Sequence, residues 1–153
     1  MKKILYIISA IMLIVSCGGD KGGDQTKPTL RQLLCTEWHS TTLSLDADIY
    51  ISFAEDNTFE LYQQIVEGAY RLYKGTWNLE EDILTGKYND GEDWAAAYQI
   101  TIEGETLTMT SKNDAAEVSV YKKAEIPSTV KEGSEAIVKS EGMLNSQPQY
   151  RWL

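Results

Sequence analysis

Short runs of alternating apolar and polar residues, cut every ten positions or so by Gly, Asn and Asp, fill the chain from Glu37 to Lys122. Successive side chains of a strand point to opposite faces and turn residues punctuate hairpins, so this is the pattern of an antiparallel all-β domain. It predicts eight strands, over Glu37–Leu43, Ile49–Ala54, Thr58–Ile65, Ala69–Leu79, Ile83–Tyr88, Trp94–Ile102, Thr106–Thr110 and Glu117–Lys122. The sixth is the cleanest, with Trp94, Ala96, Tyr98, Ile100 and Ile102 alternating against Ala95, Ala97, Gln99 and Thr101. Glu55-Asp56-Asn57, Asn89-Asp90-Gly91, Glu103-Gly104-Glu105 and Asn113-Asp114 supply turns. Ahead of the first strand, Leu30, Leu33 and Leu34 share a helical face behind Thr29, a suitable N-cap, which predicts one or two helical turns.

No long helix separates the strands, so sequential neighbours should pair as hairpins. An eight-stranded meander has two open edges unless its ends meet, and a closed ring of eight strands holds side chains or one small ligand. The expectation is an eight-stranded antiparallel up-and-down barrel over residues 29–124. Gly75, inside the long fourth strand, marks a bend in the wall. Residues 125–153 read as a C-terminal tail. Ile126-Pro127-Ser128 stops the last strand, and Ser134–Ser140 is expected as a two-turn helix ended by Gly142. Tyr150-Arg151-Trp152-Leu153 is too apolar to stand free in water, so the tail is expected to dock on the barrel, with recognition of a partner protein as the alternative.

The chain opens differently. Lys2 and Lys3 precede an apolar run of twelve residues, Ile4 to Val15, broken only by Ser9 and closed by Ser16-Cys17. A bilayer span needs roughly 20 residues, whereas a secretion signal has an apolar region of about 7–15. Residues 1–16 are therefore read as a signal peptide and Ile14-Val15-Ser16-Cys17 as a lipobox. Cleavage would leave Cys17 carrying a diacylglycerol thioether and an acylated amine; an ordinary cleaved signal with Cys17 incidental, or an uncleaved anchor helix, is the competing reading. Two or three acyl chains suffice for stable anchoring, at ~0.8 kcal/mol per buried CH₂. Residues 17–28 then form a flexible, glycine-rich tether. Gly18 rather than an aspartate follows Cys17, as in lipoproteins sent to an outer membrane.

Charge narrows the partners. Removing residues 1–16 takes away two lysines and no acids, which moves the formal charge from −9 to −11. Such a chain is not expected to hold nucleic acid, and anionic head groups repel it, which leaves the lipid as the membrane contact. About 125 residues remain for one domain with one core. Cys35 is then the only free thiol, so an internal disulfide is excluded, and its apolar setting beside Leu33 and Leu34 reads as a buried, inert group.

Three phrases now stand in order: Leu33-Leu34-Cys35-Thr36-Glu37-Trp38; Ile51-Ser52-Phe53-Ala54-Glu55-Asp56-Asn57-Thr58-Phe59; and Tyr73-Lys74-Gly75-Thr76-Trp77-Asn78-Leu79. Behind a lipobox, they resemble the bacterial lipocalin-like lipoproteins, whose phrases run close to L-x-G-x-W, I-x-F-x-x-D-G-T-F and Y-x-G-T-W-x-L. The similarity spans residues 30–122. Cys35 stands where glycine is common, and Asn57 replaces the turn glycine, a change that positive φ at asparagine tolerates. The resemblance implies a small β-barrel in the cell envelope, often at the surface of Gram-negative bacteria, and brings no catalytic residues.

Candidate chemistry is sparse. His39 is the only histidine, which rules out a multi-histidine metal site within one chain and reads as a polar residue on the first strand. Asp90, Glu92 and Asp93 lack the spacing of a calcium loop and read as a solvated hairpin tip. No cofactor motif, phosphate loop or nucleophile elbow occurs, and a non-enzyme is expected. The aromatics Trp38, Phe53, Phe59, Tyr73, Trp77, Trp94 and Tyr98 could share one face, as a filled core or as the lining of a ligand site. Two functions are weighed: an envelope-anchored module for a small apolar or amphipathic ligand, and a non-enzymatic lipoprotein with a filled barrel that meets another envelope protein.

Overall fold

The computed structural model of the chain describes residues 27–41, 47–65, 68–136 and 151–153. The signal segment, Cys17, most of the tether, Leu43, Gly142 and Tyr150 lie outside the described residues.

Thr29 caps the short helix α1 (Leu30–Leu34) through a capping box: its hydroxyl accepts from the Gln32 amide, and Gln32 Oε1 accepts from the Thr29 amide at 2.8 Å. Leu34 is buried, while Leu33 points outward. Eight strands follow: β1 (Glu37–Ser40), β2 (Ala47–Phe53), β3 (Thr58–Ile65), β4 (Arg71–Glu80), β5 (Ile83–Tyr88), β6 (Tyr98–Glu103), β7 (Thr106–Ser111) and β8 (Val118–Lys123). Each pairs antiparallel with its neighbours in sequence, and β1 also pairs with β8 in the register Trp38↔Lys123, His39↔Lys122, so the sheet closes. The expected closed eight-stranded barrel is the observed one. Asn57 takes φ 70° in the β2–β3 turn. Gly75 serves packing: a Cβ there would fall 2.0 Å from the Lys87 carbonyl oxygen and 2.6 Å from the Phe59 ring.

Three expectations are corrected. Trp94–Ala97 are not part of β6, because the Asn89–Asp93 turn folds back on β5 and takes its free edge. Tyr88 N donates to Glu92 O at 2.7 Å and Trp94 N to Gly86 O at 2.9 Å. Only Ile83↔Gln99 and Leu84↔Tyr98 remain to join β5 to β6. Of the helix expected over Ser134–Ser140, residues 137–140 lie outside the described residues and residues 134–136 are not helical, while the helical turns come earlier, in α2 (Ser128–Glu132), which follows Pro127, whose ring presets φ. Glu135–Ala136 instead form β9, a two-residue strand parallel to β4 at Arg71 and Leu72, where β5 no longer covers that edge. Third, Cys35 is half-buried at the edge of the core, with burial pushing its thiol pKa up.

The ring has two distinct ends. At the floor, α1 lies across the β2–β3 turn: Arg31 donates to the Glu55 carbonyl at 3.1 Å and to Asn57 Oδ1, and its guanidinium sits 4.5 Å over the Trp77 ring. Trp38 Nε1 donates to the Leu34 carbonyl at 3.0 Å. Outside the wall, Ile126 and Val130 pack on Tyr62, held by Glu37, whose carboxylate accepts from Ile126 N at 2.6 Å and Lys131 Nζ at 2.8 Å.

Candidate functional site

Inward-facing positions of the strands, together with Trp94 from the segment between β5 and β6, bring all seven sequence-derived aromatics into one buried cluster, none more than 6% exposed. Six form a continuous edge-to-face network. Phe53 meets Trp77 at 5.8 Å and Trp94 at 6.5 Å; Trp94 meets Phe59 at 5.1 Å and Tyr98 at 6.2 Å; and Phe59 reaches Tyr73 through Tyr88. Such pairs add about 0.5–1.5 kcal/mol each beyond burial. Trp38 stands apart, at the floor. These rings fill the space that a wider barrel would leave to a ligand.

Room is found at the wall instead. Short pairing between β5 and β6 leaves a cleft of about 320 Å³ between β5 and residues 93–97. Trp77, Gly86, Trp94 and Ala96 line it, and Lys87 and Asp93, 3.3 Å apart, stand on its exposed edge. Trp94 rests on Gly86, where a Cβ would fall 2.2 Å from the indole. The Trp94 indole N–H is buried with no acceptor among the described residues, at a cost of about 1–3 kcal/mol.

The end opposite α1 is occupied by residues 151–153. Arg151 reaches Asp90 with both terminal nitrogens, and Nη1 lies 3.3 Å from Glu92. Its guanidinium sits 4.5 Å over Tyr88 and 5.5 Å over Tyr73. Asp90 therefore corrects the solvated-tip reading: its side chain is only 12% exposed. Its partner stands 61 residues further on, beyond any local pattern. The hydrogen bond from Arg151 to Asp90 holds the guanidinium firmly protonated. Burial pushes the hydroxyl pKa of Tyr88 far above the ordinary phenol value, against the lowering pull of Arg151. Alternation of Leu84, Gly86 and Tyr88 on β5 would have marked Tyr88 as inward; Gln63, Tyr121 and Arg151 had no comparable signal.

On the outer wall His39 Nε2 lies 2.6 Å from Asp48 Oδ1, and its ring stacks on Tyr50 at 4.2 Å. Tyr70 donates to the other Asp48 oxygen. Burial and then the Asp48 hydrogen bond push the Tyr70 hydroxyl pKa up, so it stays a donor at neutral pH. Among the described residues no three His, Cys, Asp or Glu side chains gather as a metal site.

No curated protein is significantly similar to the chain. A profile for the lipocalin-like domain, however, matches residues 22–126, from ahead of α1 to just past β8. Matched sequence and closed eight-stranded ring agree, and the chain belongs to the lipocalin-like domain family.

Proposed function

We propose that the domain is a binding module for a small apolar or amphipathic molecule, which enters between β5 and β6 and lies against Trp77 and Trp94. The β5–β6 cleft carries this reading. Its volume of about 320 Å³ reaches the ~300 Å³ at which ordinary ligand sites begin, and Trp77, Trp94, Ala96 and Ala97 give it apolar surface beside the polar Thr76, Asn78 and Thr85. In this reading the chain does no covalent chemistry and needs no cofactor; His39, its one histidine, is engaged by Asp48 and Tyr50. The module is carried on the cell envelope by the lipid on Cys17, at the outer membrane of a Gram-negative bacterium.

The neutral probe N-phenyl-1-naphthylamine tests the cleft. It should bind the full chain with saturable fluorescence and shift the Trp77 and Trp94 indole NMR signals, and Ala97→Trp, which fills the cleft, should weaken it at least tenfold. Unsaturable binding, or binding indifferent to Ala97→Trp, would overturn the reading. The ring-filled interior favours a second reading, in which the closed barrel is a rigid platform for another envelope protein. Native mass spectrometry of the protein drawn from its own cells separates the two: a retained small molecule supports the first, a retained protein the second.

A further inference from the structure

The mouth occupied by Arg151, Trp152 and Leu153 is built as a receptor. No strand ladder holds these residues; barrel side chains do. Asp90 binds the guanidinium in two-pronged fashion beneath a cover that leaves Arg151 only 17% exposed. Tyr88 and Tyr73 present ring faces to the same cation. Paired charge-assisted hydrogen bonds with an aromatic cage are the means by which proteins select a cationic group. Deeper in, Trp152 donates its backbone N–H to Gln63 at 3.1 Å and its indole N–H to the Tyr121 hydroxyl at 2.8 Å. Leu153 is 2% exposed, and its carbonyl accepts from Tyr88 at 2.7 Å.

Two further observations point to a ligand. A hollow of about 190 Å³ adjoins Trp152 and Leu153, bounded by Tyr98, Met109, Glu117, Ser119 and Tyr121, so open space of mixed polar and apolar lining continues past the segment that occupies the mouth. The Tyr73 hydroxyl, buried near the cationic end, has no partner among the described residues.

We propose that the barrel mouth is a binding site for an amphipathic molecule with a guanidinium or ammonium head and an apolar body, and that Arg151-Trp152-Leu153 is its resident, displaceable occupant. The site is separate from the β5–β6 cleft. An acidic chain, formally −9, draws such cations towards it. A ligand from solution must compete with a segment tethered at an effective concentration of order millimolar, so the free protein binds weakly until the segment is lifted.

Octylguanidinium and octanoate, which share a chain length and differ in head charge, test this by calorimetry on the full chain. Arg151→Glu sets the segment against Asp90 and Glu92 and should raise the affinity for octylguanidinium about tenfold or more over the unchanged protein, leaving octanoate weak. Adding Asp90→Asn should remove that gain. If Arg151→Glu does not fold, as read by near-ultraviolet circular dichroism, Trp152→Ala replaces it with the same expectation. Equal affinity with and without the loosened segment, or equal binding of the two head groups, overturns the proposal. Ala97→Trp, at the side cleft, should leave octylguanidinium binding unchanged; its loss there would move the site away from the mouth and also overturn it.

Discussion

Glu60 shows how a single outward carboxylate couples the wall to pH. Its Oε2 accepts from the Tyr62 hydroxyl at 2.7 Å, and Oε1 pairs with Lys74 across the β3–β4 register. Partial burial pushes its pKa up, but these two partners outweigh burial and hold it below the ordinary glutamate value of 4.5. A carboxyl whose pKa falls on folding stabilises the fold above its unfolded value, and that contribution is lost as pH drops through the folded value. Urea midpoints measured between about pH 5 and about pH 3 should therefore fall more steeply for the unchanged protein than for Glu60→Gln. Equal slopes would remove Glu60 from the account. At this scale much was legible: each of the seven aromatics drawn from alternation is buried, because alternation reports which face a side chain takes. Asp90 was not legible, since the cation that covers it is remote in sequence.

Among the elements, the outer strap of α2 and β9 depends on one side chain. Glu37 receives both the Ile126 amide and Lys131, fixing where the chain leaves β8. Downstream, Glu135 N donates to the Tyr70 carbonyl at 2.8 Å. A hydrogen bond to a charged group is worth about 1.5–3 kcal/mol, so Glu37→Ala should lower hydrogen-exchange protection of the Glu135 amide by about tenfold or more while leaving β2 and β7 amides unchanged. Uniform loss across the barrel would mean that Glu37 supports the whole ring rather than the strap. Strand identities came through the sequence because hairpins are local: β3 and β5 have the expected bounds. Trp94–Ala97 failed for a physical reason. Trp94 and Ala96 are buried in alternation, yet the Asn89–Asp93 turn had already taken the β5 backbone that a strand there requires. Burial period and hydrogen-bonded pairing are separate properties, and only the first is written in side chains. The placement of α2 and β9 depended on an unfilled edge of β4, a property of the assembled sheet.

For the molecule as a whole, lipidation remains the proposal that sets its surroundings. Mass spectrometry of the mature protein should find fatty-acyl mass on Cys17, and Cys17→Ser should release the chain from membranes; a membrane-bound Cys17→Ser protein would overturn the anchor. The strongly acidic composition offers no alternative hold on an anionic surface. Of the candidate sites, the filled interior was foreseeable from apolar periodicity, but the side cleft and the occupied mouth were not, since both arise where backbone departs from the regular ladder.

The position of α1 carries one last consequence. Lys27 leads into the pole formed by Leu34, Trp38 and the Asn57 corner, while Asp90 and Arg151 mark the opposite pole. A lipid anchor on Cys17, as proposed, would hold the molecule by this base and turn the Arg151 pole away from the membrane. Under that proposal a cation entering at the Arg151 pole would arrive from the aqueous phase beyond the bilayer.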